Sequence, residues 1–282
     1  MKRFGLTAIF ALCCLLSPGV SAQNPKLTAE EVVSKSLAAV ASPQDRAAVK
    51  FYEATGTVKI TTTVGGVNAN GTVLLVSEGN KLKFAIKAPS TIYPGDQFVY
   101  DGKDVSVSKD NQGRRSPLGD FAWWQKAIMR DGLLGGVLST AWPLYDPKFR
   151  NAKLTYNGIK KVNGVSVHEI SYNSKNIDSS TTVKLLFDVE NFRHLETIYE
   201  MEVPANFGGV KSAVSSAQTS YETARYRLEE VFSDFRQLGP YTLPLHDKLS
   251  LVSSNATYGT WYLDVSYDKR NGNDLRPAAK KR

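Results

Sequence analysis

Hydrophobic and polar positions along this chain change period at residue 51. Upstream, Val33, Leu37, Val40 and Ala41 recur at helical spacing. Thr28-Ala29-Glu30-Glu31 puts Thr at the N-cap and Glu three residues on, a capping box. The pattern predicts a helix from Thr28 that stops at Ser42-Pro43, with one more turn over Pro43–Lys50. From Phe51 the period is two. Tyr52, Ala54, Gly56, Val58 and Ile60 alternate with Glu53, Thr55, Thr57, Lys59 and Thr61, which describes a half-buried strand. Gly65–Asn70 reads as a turn. Thr72–Glu78 and Lys81–Ala88 flank Gly79-Asn80, a hairpin signal, with Leu82, Phe84 and Ile86 on one face. Asp96–Tyr100 and Asp104–Ser108 flank Asp101-Gly102-Lys103 in the same way.

The alternation then stops. Lys109–Gly119 is a polar loop, and Asp120–Arg130 reads as a helix with Phe121, Trp124, Ala127 and Ile128 on one side. Gly132-Leu133-Leu134-Gly135-Gly136-Val137-Leu138 and Ala141-Trp142-Pro143-Leu144-Tyr145 come next, apolar but too rich in glycine for a rigid helix. Strands resume at Lys153–Tyr156, Val165–Tyr172 and Thr182–Val189, the last with Val183, Leu185, Phe187 and Val189 on one face. Arg193–Val203 is read with Leu195, Thr197, Tyr199, Met201 and Val203 on one face and Glu196, Glu200 and Glu202 on the other. After a Gly/Ser/Ala-rich loop over Pro204–Thr219 come Tyr221–Phe235, Thr242–Ser253 and Thr257–Tyr267, with Trp261, Leu263, Val265 and Tyr267 facing one way. Roughly eleven or twelve antiparallel strands joined by short turns tend to curl into a barrel or half-barrel. The fold class is mainly β, with a small α component.

Composition changes this picture at the two ends. Lys2-Arg3, the apolar run Phe4–Leu16 and Val20-Ser21-Ala22 read as a cleaved export leader, so residues 1–22 are expected to be absent from the mature chain. Both cysteines, Cys13 and Cys14, lie in that leader. Phe10-Ala11-Leu12-Cys13 fits a lipid-modification site poorly. A mature chain without cysteine has no disulfide scaffold, thiol nucleophile or thiolate metal site. Residues 23–267 then form one domain, large enough to bury a core without staples. Residues 268–282 form a basic tail that contributes part of the formal charge of +8. No dense basic-aromatic stretch accompanies that charge, so nucleic acid is not an expected partner. Asn70-Gly71-Thr72 and Asn255-Ala256-Thr257 match glycosylation triplets, which are common by chance.

Enzyme signatures are sparse. His168, His194 and His246 lie in separate segments with no metal-ligand spacing. Ser106-Val107-Ser108-Lys109 matches Ser-x-x-Lys, but on a strand running into a loop, where the lysine does not sit one helical turn from the serine. Gly66–Gly71 is followed by Thr72-Val73 instead of the Lys-Ser/Thr of a phosphate loop. Glu196, Glu200, Glu202, Glu222 and Glu230 alternate on strands. A paired-carboxylate site is geometrically open to them, while the ordinary reading is a solvated outer face, with Arg225 and Arg227 pairing across strands. What stands out is apolar. A strongly curved sheet has a large concave face, one helix and a glycine-rich segment are available to cover it, and a loose cover leaves a cavity suited to acyl chains. Flexible glycines suit a lid.

In its order of elements the chain resembles the LolA/LolB-like superfamily of periplasmic lipoprotein carriers and their outer-membrane lipoprotein-sorting relatives. The resemblance rests on Gly56-Thr57-Val58-Lys59-Ile60, Gly79-Asn80-Lys81-Leu82-Lys83-Phe84 and Tyr100-Asp101-Gly102-Lys103. It continues in Leu186-Phe187-Asp188-Val189-Glu190 and in Phe232-Ser233-Asp234-Phe235-Arg236 leading into Leu243-Pro244-Leu245-His246. It implies an unclosed antiparallel β-barrel of about eleven strands with helices covering the concave face. It also implies a periplasmic carrier that needs no cofactor, is not an enzyme and binds lipoprotein acyl chains or another lipid. Its partners would be an inner-membrane transporter and an outer-membrane receptor, with transient membrane-surface contact and a monomeric state. The Arg latch of the classical carrier has no match here.

On this reading Tyr52, Val58, Ile60, Phe84, Phe98, Leu185, Phe187, Tyr199 and Trp261 line the ligand cavity. Trp124, Ile128, Leu133, Leu134, Val137 and Leu138 form the lid. The alternative is a non-catalytic envelope sensor or interaction module on the same fold, with a filled core. A hydrolase using the carboxylates is a third reading.

Overall fold

The computed structural model describes residues 27–203, 224–253, 256–270 and 273–274. Residues 1–26, which include the segment read as a leader with Cys13 and Cys14, the segment Pro204–Thr219, Glu222, Asn255 and the residues beyond 274 lie outside the described residues.

The first helix, α1 (Ala29–Val40), has the anticipated capping box. Thr28 Oγ1 accepts from the N–H of Glu31 at 3.2 Å, and Glu31 accepts from the N–H of Thr28 at 2.7 Å. Ser42 caps α2 (Pro43–Ala48) with Pro43 at its first position. The strands β1 (Phe51–Thr62), β2 (Asn68–Glu78), β3 (Lys81–Lys87), β4 (Asp96–Tyr100) and β5 (Val105–Val107) form one meander. After the interruption, β6 (Lys153–Val162), β7 (Val165–Asn173), β8 (Thr181–Asp188), β9 (His194–Val203), β10 (Ala224–Leu238), β11 (Tyr241–Ser253) and β12 (Ala256–Arg270) form a second. A two-residue β13 (Asn273–Asp274) pairs back onto β12.

The two meanders join through β1 and β12, which pair antiparallel with Ile60 opposite Trp261 and Val58 opposite Leu263. The strand order is therefore β5-β4-β3-β2-β1-β12-β11-β10-β9-β8-β7-β6. All these pairs are antiparallel, and β5 and β6 are the two unpaired edges. The barrel is open, as the resemblance implied.

Curvature comes from what touches both sides. A flat sheet puts β2 and β10, four steps apart, roughly 19 Å from each other. Yet a Cβ added to Gly135 would lie 2.9 Å from Leu75 of β2, and one added to Gly136 would lie 2.8 Å from Phe232 of β10. One turn of chain fills the distance between them, so the sheet wraps around it.

Three local departures from the periodicity have identifiable causes. The helix expected over Asp120–Arg130 starts earlier and is broken. Ser116 caps α3 (Pro117–Trp124), Gln125 leaves helical geometry at φ −105° and ψ 46°, and α4 (Lys126–Arg130) comes after it. Strand β6 runs six residues beyond Tyr156. A register shift between Tyr156 and Gly158 interrupts its alternation, and Asn163-Gly164, both at positive φ, turns the chain into β7. In β9 the reading of Leu195 as an inner-face residue is corrected. His194 pairs with Phe187 and Glu196 with Leu186, so Leu195 is the extra residue of a bulge. It packs instead with Val167, Leu186 and Ile198 in a small separate cluster. Among the described residues no helix is long and apolar enough to cross a membrane.

Removing the cap hydroxyl tests how far α1 depends on local chemistry. Thr28→Ala should lower stability by about 1 kcal/mol, read as a lower midpoint in denaturant unfolding with the slope unchanged, while Thr28→Ser should restore it.

Candidate functional site

The nine residues assigned to the inner face lie together. Tyr52, Val58, Ile60, Phe84, Phe98, Leu185, Phe187, Tyr199 and Trp261 are all at most 2% exposed and belong to one core cluster. Phe84 and Phe98 stack across β3 and β4 with ring centroids 5.8 Å apart. The cover belongs to the same cluster. Ile128, Leu133, Leu134, Val137 and Leu138 are buried in it. Trp124 is half-buried at its edge, its ring 5.6 Å from that of Tyr226. The concave face is thus filled by side chains of the cover.

The cover is mostly non-helical. After α4 it consists of turns and two 3-10 segments, Gly136–Leu138 and Pro143–Tyr145. Gly132, Gly135 and Gly136 all have positive φ, at 73°, 83° and 47°. At Gly132 a Cβ would also meet the carbonyl oxygen of Ala141 at 2.1 Å. Chain reversal and close approach both demand glycine here.

Buried carboxylates fasten this cover to the sheet at three points. At the start of α3, Asp96 of β4 accepts from Ser116 Oγ at 2.6 Å and from the hydroxyl of Tyr93. Tyr93 in turn accepts from Trp261 Nε1 at 3.0 Å. At the end of α4, Asp131 accepts from Tyr172 Oη at 2.9 Å, from Asn176 Nδ2 at 2.6 Å and from Ser174 Oγ. In the middle, Glu230 of β10 accepts from the N–H of Gly135 at 2.7 Å and, on its other oxygen, from Tyr199 Oη at 2.9 Å.

Beside Glu230 lies a second buried acid, Asp247 of β11, whose Oδ1 has no hydrogen-bond partner among the described residues. Burial raises the Glu230 carboxyl above the usual carboxylate range, against the pull of its two donors. Asp247 is raised by burial and then by the charge of Glu230. Two accepted hydrogen bonds favour the charge on Glu230, which leaves the proton of the pair on Asp247. Burial also lifts Asp96 to about 6. Next to the pair, His194 packs against Trp142, Phe187 and Phe232 at centroid distances of 5.0 to 5.3 Å. Burial pushes its pKa down to about 3, so it is neutral.

The reading of Glu230 as a solvated outer-face residue is corrected, because it is fully buried on the inner face. Its signal is present in the sequence: it falls in phase with Leu228 and Phe232, as Asp96 does with Phe98 and Asp247 with Leu249. Glu196 is buried as well, on the outer face of the β9 bulge. Burial and the charge of Glu229 raise it to about 7. Glu200 and Glu202 meet the solvated reading, and Arg227 and Arg225 pair with them across strands at 3.4 and 2.8 Å. His168 is buried, and His246 is exposed beside Asp264. No group of His, Cys, Asp or Glu able to hold a metal ion occurs among the described residues.

No family model matches this sequence, and no curated protein does. Solved structures resemble it. A LolA superfamily protein from Nitrosomonas europaea is 14% identical, with a TM-score of 0.48 over 89% of this chain and 95% of that one. A DUF1329 family protein from Desulfovibrio piger is 8% identical, with a TM-score of 0.41 over 85% and 93%. An outer membrane lipoprotein-sorting protein domain from Vibrio parahaemolyticus is 12% identical, with a TM-score of 0.41 over 84% and 94%. The likeness is one of fold.

Two outcomes are expected for the cover. Gly132→Ala should cost about 2 kcal/mol or more, since it adds a strained φ to a backbone clash; chemical denaturation measures it. The buried acids also set the pH dependence. Asp96 and Glu196 titrate near 6 and 7 when folded, against ordinary values of 3.8 and 4.5. Their stabilisation is complete below the ordinary values and is lost as pH rises through the folded ones. Glu230 and Asp247 act in the same direction. His194 opposes them, gaining stability as pH rises from about 3 to 6.5. The acids outnumber it, so the melting temperature should fall between about pH 4.5 and 7, and Glu230→Gln should flatten that fall in a calorimetric pH series.

Proposed function

We propose that this protein is an exported, periplasmic carrier that takes up lipoprotein acyl chains or another lipid between its concave face and its cover. The observation that carries this reading is the form of the cover: an apolar segment of turns, hinged on three glycines at positive φ. It is fastened to the sheet through a few carboxylates, of which Glu230 holds the hinge itself. Such a cover can lift as a unit, and an acyl chain entering beneath it replaces the apolar contacts of the concave face. In this reading the closed, filled state is the empty carrier. Glu230 takes the part of a latch, inner-face residues such as Phe84, Phe187 and Trp261 contact lipid when the cover lifts, and no catalytic step or cofactor is assigned. Loading from an inner-membrane transporter and delivery to an outer-membrane receptor complete the proposal.

One observation favours a second reading, an envelope sensor or interaction module. The inner face is already filled, with all nine of its assigned residues buried. Native mass spectrometry of protein purified without detergent separates the two, together with hydrogen exchange of residues 133–138 before and after addition of a fluorescent fatty acid. The carrier predicts a bound lipid or uptake of the probe. It also predicts altered exchange at the Gly135 amide, with faster exchange in Glu230→Gln. A protein that is empty, takes up no probe and shows unchanged exchange would sink the carrier and leave the interaction module.

A further inference from the structure

A cleft of ≈ 260 Å³ runs between the α1–α2 corner and the second half of the cover. Leu37, Tyr52, Val137 and Leu138 give it apolar walls, and Arg46 and Lys50 line it from the α2 side. It lies directly against the segment just beyond the glycine hinge, so whatever occupies it touches the cover.

Arg46 is the informative residue. Its Nη1 donates to the carbonyl oxygens of Leu37, at 2.6 Å, and of Ala41. These bonds close the end of α1 and fix the guanidinium in place, but two carbonyls leave its charge unneutralised. Nε and Nη2 carry no hydrogen bond to a described residue, and no carboxylate among the described residues forms an ion pair with Arg46. A half-buried, immobilised and uncompensated guanidinium at the mouth of an apolar cleft has the chemistry of an anion anchor with a hydrocarbon slot behind it. The volume is below the roughly 300–1,000 Å³ of sites for drug-sized ligands, which suits one chain rather than two.

We propose that this cleft binds a single-chain amphiphile whose anionic head group, a carboxylate or a phosphate monoester, pairs with Arg46. The proposal rests on the carrier reading and narrows it, because it names the class of ligand and the side from which the chain reaches the cover. Arg46 supplies two parallel N–H donors to two oxygens of the head group, and the chain lies along Leu37, Val137 and Leu138. A neutral head group of the same chain length gains the apolar contacts only.

The test is direct binding of three probes with one chain length to the purified protein: a long-chain fatty acid, the corresponding alcohol and the corresponding alkyl phosphate. The acid, the phosphate or both should bind at least tenfold more tightly than the alcohol. Arg46→Gln should abolish that preference while leaving alcohol binding unchanged, and Arg46→Lys should keep most of it. A preference for one anion alone keeps the site and names its head group. Equal binding of all three probes, or a preference that survives Arg46→Gln, overturns the anchor and leaves the carrier standing. If no probe binds, both readings fall. Should Arg46→Gln not fold, the wild-type preference must still shrink as salt rises from tens to hundreds of millimolar; a salt-independent preference would overturn the anchor as well.

Discussion

The pairing of β1 with β12 dictates most of the remaining architecture. It joins the first strand of one meander to the last strand of the other, and in doing so it leaves β5 and β6 as the free edges at opposite ends of the sheet. Those two strands are consecutive in the chain. The connection between them must therefore travel from one edge of the sheet to the other. On a wrapped sheet the short route lies across the concave face, and that face is apolar. A connection forced to cross it must itself be apolar, which accounts for Leu133, Leu134, Val137, Leu138, Trp142 and Leu144 in a single run. The cover is a consequence of the strand order.

That route also explains the polar fixtures. A chain that crosses an apolar surface in turns has backbone N–H groups that no helix ladder satisfies, and burying one without a partner costs roughly 1–3 kcal/mol. Glu230 meets that need at Gly135, and Asp96 and Asp131 secure the ends of the helical part. The magnitudes separate two jobs. Burying four aliphatic side chains of the cover contributes on the order of 6–12 kcal/mol, whereas a hydrogen bond to a charged group contributes about 1.5–3 kcal/mol. Apolar burial makes the cover stay on the sheet, and the carboxylates choose where it sits.

Much of the fold was legible as period. Alternation in β1, β3, β4, β8 and β12 placed Tyr52, Val58, Ile60, Phe84, Phe98, Leu185, Phe187 and Trp261 on one face, because strands with one buried face print that face at every second residue. The capping box at Thr28 was readable for the same local reason. Leu195 was not, since a bulge inverts the face without leaving a mark in composition. The path of the cover was unreadable as well, because 3-10 turns over glycines have no period to detect. Glu230 is a different case. It sits in phase with Leu228 and Phe232, and the pattern alone put it inside. Reading it as solvated applied the general preference of carboxylates for water over the specific register of this strand. An acid in phase with inward hydrophobes calls for the opposite inference, that a donor awaits it across the core.

A filled concave face and a lipid carrier are compatible for an energetic reason. Lifting the cover in water would expose two apolar surfaces, the sheet and the underside of the cover, and under the proposed function that cost would keep an empty carrier shut. Lifting it onto an acyl chain re-covers the sheet with hydrocarbon, so most of the apolar term cancels between the closed and loaded states. What remains is the set of contacts the lipid cannot replace, above all the N–H of Gly135 on Glu230. The neighbouring Asp247 weakens that contact whenever it ionises, because two charges in one buried site repel each other. If the protein works as the proposed carrier, the balance between closed and loaded states turns on a hydrogen bond and a proton, although the apolar contacts outweigh both in total energy.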